Sequence, residues 1–151
     1  MAGTVVTTVL LIRHGERSAL TPTPPDPPLT AAGKARALTL RHVLGAAGIK
    51  DIYRSHFLRA QQTAQPLATQ LALTPLVLDD AASIKADILA HHAGHTVLMI
   101  GHSNTVPELI QQLGAGTLPV IDESVFDNLF VVKLLGSGTA SLTHLKYGKP
   151  S

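Results

Sequence analysis

The sequence predicts an α/β fold: one three-layer domain over residues 1–151, with a largely parallel, helix-covered sheet and a C-terminal hairpin adding antiparallel strand. Three observations carry this expectation. Short β-branched runs alternate with longer helical patterns through the first three-quarters of the chain, the mark of parallel strands joined by crossover helices. The first run, Val5 to Ile12, is apolar without a break, as in a strand covered on both faces. The last two runs flank Gly136-Ser137-Gly138, a hairpin signal.

Taken in order, the start, Met1 to Ile12, is apolar but lacks a basic n-region and a small-residue cleavage site and leads directly into Arg13-His14. It reads as a buried strand and not a signal peptide. Pro22 to Pro28 reads P-T-P-P-D-P-P, a stiff extended connector that is also placed to form a rim near Arg17 and Ser18. Thr30 is the N-cap of a helix from Ala31 to about Ala47, with Leu38, Val43 and Leu44 on its apolar side and Gly48 ending it. Asp51 to Arg54 is a short strand. Arg59 to Leu73 is helical, and Pro66 is expected to kink it or mark a late start. Leu76 to Leu78 is a strand ending in Asp79-Asp80, Ser83 to His92 a helix, and Thr96 to Ile100 a strand. Asn104 to Leu113 forms a helix closed by Gly114, and Leu129–Leu135 and Ala140–Lys146 are the hairpin strands.

Composition narrows the function. Cysteine is absent, which excludes disulfides, thiolate metal ligands and cysteine nucleophiles. No stretch approaches the ~20 apolar residues of a membrane helix. The 12 basic residues are scattered and only 3% of residues are aromatic, unlike the clustered cations and stacking rings of a nucleic-acid binder. The expectation is a soluble cytoplasmic protein with neither nucleic-acid nor membrane partners. Its oligomeric state is not readable.

In open α/β sheets ligands bind beyond the carboxyl ends of the strands. Arg13, His14, Gly15 and Glu16 follow the first strand. Ser55, His56 and Arg59 follow the second, Asp79 and Asp80 the third, and Gly101, His102, Ser103 and Asn104 the fourth. Arginines, histidines and acids therefore gather on one sheet edge. The fit is to a phosphoryl group: guanidinium forks hold phosphate oxygens bidentately. Helix N-termini add N–H donors, and a neutral imidazole is a nucleophile.

These residues resemble a known family. Arg13-His14-Gly15-Glu16 after an apolar strand is similar to the signature of the histidine phosphatase (phosphoglycerate mutase-like) superfamily. Leu58-Arg59-Ala60-Gln61-Gln62-Thr63-Ala64 resembles its second block and Gly101-His102-Ser103-Asn104 its third. Pro28-Leu29-Thr30 through Gly33 and Ala35 matches the segment that opens the first helix. The resemblance implies that His14 is a nucleophile that becomes phosphohistidine, that Arg13 and Arg59 clamp the phosphate, and that His102 hydrogen-bonds the phosphoryl group and stabilises the transition state. It implies no metal and no cofactor, the arginines doing the charge work. The compact chain resembles the small phosphatases that act on phosphohistidine proteins, with small phosphoesters as further substrates.

Two departures stand out. His56-Phe57 replaces a small residue or proline of the second block, which makes His56 a candidate for the pocket rim. No glutamate lies between the second and third blocks, where the family's proton donor normally sits. Asp79 and Asp80 are the candidate acids and Glu16 the third, an N-cap or a solvated turn being the plain alternative for the aspartates.

Other functions compete. Mutase-type phosphotransfer needs an enclosure that family mutases build from an insert and tail missing here. A phosphate-binding module without turnover is open while the acid is unassigned. A serine hydrolase would use Ser103 with Asp127 and His144, but Thr105 stands where the nucleophile elbow needs glycine. His91, His92 and His95 suggest a metal, yet adjacent helical residues point about 100° apart, so His91 and His92 do not chelate one ion together. Glu108 reads as a surface residue, and Lys133, His144 and Lys146 have no evident role.

Overall fold

The computed structural model describes residues 5–19 and 25–151. Pro22, Thr23 and Pro24 of the proline-rich segment lie outside the described residues. The expected alternation is borne out: β1 (Val6–Arg13), α1 (Ala31–Leu44), β2 (Ile49–Arg54), α2 (Leu58–Leu71), β3 (Leu76–Val77), α3 (Ala81–His91), β4 (Thr96–Gly101), α4 (Thr105–Gln112), β5 (Asn128–Leu135) and β6 (Ala140–Lys146).

All six strands form one sheet in the order β3-β2-β4-β1-β5-β6. Strands β1 to β4 run parallel, while β5 pairs antiparallel with both β1 and β6. The sheet has a core on each face. Val9, Leu11, Tyr53, Val97 and Met99 pack with Ile84 and Ile88 of α3 and Leu109 of α4. Leu10, Ile12, Ile52, Leu98 and Ile100 pack with Leu40 of α1 and Leu67 of α2. Alternate residues of β1 thus feed opposite cores, which is why Val9 to Ile12 is apolar without a break. Each such fully buried leucine or isoleucine contributes roughly 1.5–3 kcal/mol.

The helices differ from expectation in detail. The Thr30 hydroxyl accepts from the Gly33 N–H and caps α1 as anticipated. However, α1 ends at Leu44, and its buried stripe is Gly33, Arg36, Ala37, Leu40 and Leu44. Leu38 and Val43, expected inside, are 48% and 43% exposed because the 3.6-residue period turns them outward. Pro66 lies inside α2 without ending it, removing only the one ladder bond its nitrogen would have donated. Asp80 is the N-cap of α3, accepting from the Ser83 N–H.

Arg36 has a role that its sequence context hid. It is 3% exposed and donates to both carboxylate oxygens of Glu16, at 2.8 and 3.1 Å, and to the carbonyls of Tyr147 and Lys149. One guanidinium therefore ties the segment after β1, helix α1 and the C-terminal residues together. In the same place Gly15 and Gly33 touch: a Cβ on Gly33 would meet the Glu16 carbonyl oxygen at 2.1 Å. Only glycine lets α1 approach the loop so closely.

Candidate active site

The carboxyl ends of β1, β2 and β4 open into a cleft of about 320 Å³. Arg13 sits opposite Gly101 in the β1–β4 ladder, and the His14 N–H donates to the Gly101 carbonyl at 2.9 Å, so pairing continues one residue past the strand. This carries the His14 side chain to the cleft floor. Arg13, Arg59, His102, Ser103 and Asn104 line the walls with Ser55, Phe57, Arg17, Asp79 and Glu123.

His14 is 2% exposed. Its Nδ1 lies 2.8 Å from the Gly15 carbonyl oxygen, which can only accept, so Nδ1 carries the proton. Nε2 then carries the unprotonated lone pair, which accepts from Arg59 Nε at 3.3 Å. Burial, opposed in part by the Gly15 bond and reinforced by His102 and the two arginines, pushes the His14 pKa down to about 3. The ring is neutral at any working pH and presents a nitrogen lone pair to a cationic cleft. The Gly15 N–H donates to Thr63 Oγ1, which in turn donates to the Arg59 carbonyl, locking the loop onto α2.

Both arginines are cations with unused donors. Arg13 donates to the carbonyls of Asp122, Glu123 and Val125, each at 3.1 Å, and lies 4.1 Å from the Phe126 ring centroid. Its Nε is buried without a hydrogen-bond partner among the described residues, as is Nη1 of Arg59. Arg59 stands over the Phe57 ring at 4.3 Å, and its nearest carboxylate, Asp26, is 3.9 Å away. Burial holds both guanidinium groups below their usual pKa. Both guanidinium groups line the cleft, where their charge favours an anion.

His102 closes the set. Its ring centroid is 5.0 Å from that of His14, and its Nε2 lies 2.7 Å from Ser55 Oγ. Burial, then the charges of Arg59 and Arg13, push its pKa down to about 4. The His102 N–H donates to Thr105 Oγ1, which shapes the turn into α4.

The structure separates the three candidate acids. Glu16 is the partner of Arg36: burial raises its pKa, but the Arg36 hydrogen bonds and charge outweigh this and leave it lowered. Asp80 caps α3 and does not line the cleft. Asp79 does line it. The main-chain N–H of His56, together with its ring, holds the Asp79 carboxyl below the usual carboxylate range. Asp79 is therefore ionised at neutral pH. His56 is exposed and absent from the cleft lining, but it pairs with Asp79 and its ring lies 4.1 Å from that of Phe57, both of which line the cleft.

Several contributors escaped the sequence reading. Asp26, from the proline-rich segment, accepts from the Leu58 N–H at the start of α2, beside Arg59. Its position among prolines was a rim signal, but nothing marked its partner. Thr63 was visible within the second block without an assigned contact. Glu123 reaches Arg13 Nη2 at 3.5 Å from an irregular loop that carries no motif.

The serine-hydrolase arrangement is not assembled. Asp127 accepts from Lys146 and His144 pairs with Asn128, both on the β5–β6 side. Glu108 is exposed, as expected. Among the described residues the one cluster of metal-ligating side chains is Asp51, His92 and His95. It lies at the opposite end of the β2–β4 pair. Nor is any helix among the described residues long and apolar enough to cross a membrane.

Residues 9–83 match the histidine phosphatase superfamily (branch 1). A PE-PGRS family protein of Mycobacterium tuberculosis is 42% identical over 65 residues, which is 42% of this chain and 11% of that protein. The chain thus matches only a small part of that relative's length. Among solved structures, the protein histidine phosphatase SixA, complexed with tungstate, superposes with a TM-score of 0.76 at 24% identity, covering 92% of this chain and 96% of that one. The alpha-ribazole phosphatase of Shigella flexneri gives 0.70 at 19% identity over 92% and 96% of the two chains. A mycobacterial glucosyl-3-phosphoglycerate phosphatase gives 0.70 at 14% identity over 94% and 98%. At these identities the structural likeness is one of fold.

Proposed function

As the chain belongs to the histidine phosphatase superfamily, we propose that it is a metal-independent phosphatase working through a phosphohistidine on His14. The observation that carries this reading is the His14 tautomer: Nδ1–H is spent on the Gly15 carbonyl, and Nε2 faces the cleft unprotonated. A phosphoryl group seated on the unused donors of Arg13 and Arg59 has its phosphorus within reach of that lone pair. Nε2 attacks phosphorus as the bond to the leaving group breaks, giving an Nε2-phosphohistidine. Charge on the equatorial oxygens is met by the two guanidinium groups and by His102, whose affinity for a proton rises beside a phosphoryl dianion. Water then attacks phosphorus and His14 departs. Asp79, ionised and lining the cleft, supports a base role towards that water.

The substrate reading follows from Asp79. This cleft-lining carboxyl is held below the usual carboxylate range, so it has no proton to give an alkoxide leaving group at neutral pH. A phosphohistidine protonated on its second ring nitrogen leaves far more easily, since it departs as a neutral imidazole whose conjugate acid titrates near 6.5. A phosphohistidine protein is thus the favoured substrate class, with small phosphomonoesters second. The SixA structure with tungstate is that of a protein histidine phosphatase, a relative of the same fold. A cytoplasmic location belongs to this reading and is tested by fractionation.

The test is rapid quenching without acid, followed by mass spectrometry, using a phosphohistidine protein, an aryl phosphate, a sugar phosphate and a phosphoserine peptide. Phosphate should appear on His14, fastest with the first two substrates. Label on Ser103, or none on any residue during turnover, would overturn the mechanism.

A further inference from the structure

We propose that Asp51, His92 and His95 form a binding site for a divalent ion of the zinc class, at the end of the sheet away from the phosphate cleft. The site starts from an irregularity in β2. Ile49 pairs with Thr96 and Asp51 with Val97, so Lys50 is an extra residue in the strand. Ile49 and Ile52 consequently share the core under α1 and α2, while Tyr53 enters the core under α3 and α4. Asp51, two residues before Tyr53, is turned towards the end of α3, where the two histidines stand.

Main-chain bonds fix both histidines. The His92 N–H donates to the Ile88 carbonyl at 2.8 Å, and the His95 N–H donates to the His92 carbonyl at 3.0 Å. The His95 carbonyl accepts from the Thr8 N–H of β1, and Gly94, at φ +85°, makes the short turn possible. Asp51 Oδ1 lies 3.3 Å from His92 Nδ1, and Oδ2 lies 2.8 Å from His95 Nδ1. The ligand atoms of the three residues all fall within 4.8 Å of one another. In a tetrahedral zinc site with bonds near 2.0–2.1 Å, adjacent donors stand about 3.3 Å apart. His95, 42% exposed, has room to draw back by the remainder.

His92 distinguishes this cluster from a set of ion pairs. Its Nδ1 is buried and has no hydrogen-bond partner among the described residues, although Asp51 is near. Its other nitrogen, Nε2, faces Asp87 Oδ2 at 3.5 Å, and that oxygen also accepts from the Tyr53 hydroxyl at 2.7 Å. A carboxylate behind the second ring nitrogen is the arrangement that orients a metal-binding imidazole and leaves its first nitrogen free to ligate. Two imidazoles and one carboxylate suit zinc or its first-row neighbours and not magnesium or calcium. The exposed side of His95 leaves a fourth position for water. The ion would clip β2 to the α3–β4 turn and plays no part in the phosphoryl chemistry.

The test is titration of the chelator-treated full chain with zinc chloride, followed by calorimetry and by thermal unfolding. One equivalent should bind and raise Tm by several degrees, as expected for a ligand specific to the folded state. His95→Ala and Asp51→Asn should each weaken binding at least about tenfold, with phosphatase activity of His95→Ala unchanged and zinc affinity of His14→Ala unchanged. No saturable binding at millimolar zinc would overturn the proposal. So would wild-type affinity in both the His95→Ala and Asp51→Asn proteins.

Discussion

Lowering the pH from 7 to 5 should leave His14 almost entirely neutral. With its pKa pushed down to about 3, about 99% of the ring is unprotonated at pH 5, whereas an ordinary histidine near 6.5 would be only about 3% neutral. The two cases differ about thirtyfold in available nucleophile. After correction for the second ionisation of the substrate phosphate, near pH 6, the phosphorylation burst should change less than twofold between pH 7 and pH 5. Long-range proton–nitrogen NMR should show Nδ1 protonated and Nε2 bare throughout that range. The same displacement appears in stability. Above about pH 6.5 neither the folded nor the unfolded chain protonates this ring, so nothing is lost. Between 6.5 and 3 the unfolded chain takes up the proton and the folded one does not, and stability falls as pH falls. By pH 5 the loss from His14 alone is about 2 kcal/mol. The stability gap between His14→Ala and wild type, read by urea unfolding, should shift by that amount from pH 7 to pH 5. A His14 midpoint near 6.5 by NMR, or a burst falling thirtyfold, would refute the assignment of a buried neutral nucleophile.

Three further outcomes are expected. Arg59→Ala should lower kcat/KM by roughly 10²–10³, the cost of losing one donor to developing oxyanion charge; wild-type kinetics would make Arg59 a helix surface charge. Asp79→Asn should slow breakdown of the phosphoenzyme, so that it accumulates in steady state while the aryl phosphate burst is unchanged. A selective loss of burst rate with alkyl phosphates would instead make Asp79 an acid. Arg36→Leu should destabilise the fold by about 3 kcal/mol, the lower end for breaking a buried pair, since Glu16 keeps some solvent contact. Urea unfolding with a loss below about 1 kcal/mol would show that the contact with Glu16 is incidental.

The order of elements and the cleft were legible because each rests on local pattern. The second half of β1, Val9 to Ile12, is apolar because both of its faces are covered, and the residues after four strand ends meet because parallel strands end together. What was not legible depends on partners distant in sequence. Nothing local pairs Arg36 with Glu16 and the carbonyls of Tyr147 and Lys149, and nothing marks Arg13 as the anchor of residues 122–125. Leu38 and Val43 misled because they are apolar, while the true stripe of α1 runs through Gly33 and Arg36. The start of β2 was missed because Gly48 turns the chain immediately before Ile49 and Lys50 breaks the alternation. That same break hid Asp51, so the histidines of residues 91–95 read as a helix end without a carboxylate.

Arg13 grips the 122–125 loop by its carbonyl oxygens alone, apart from one long contact to Glu123. Every amino acid carries a carbonyl, so the grip specifies the path of the loop and not its spelling. Substitutions there need only keep the backbone's course, which Asp122 helps to set by accepting from the Ser124 N–H and hydroxyl. For a protein engineer the loop is a writable margin at Glu123: that exposed side chain can be recoded in charge and bulk to admit a different phosphorylated partner while the guanidinium beneath it stays where it is.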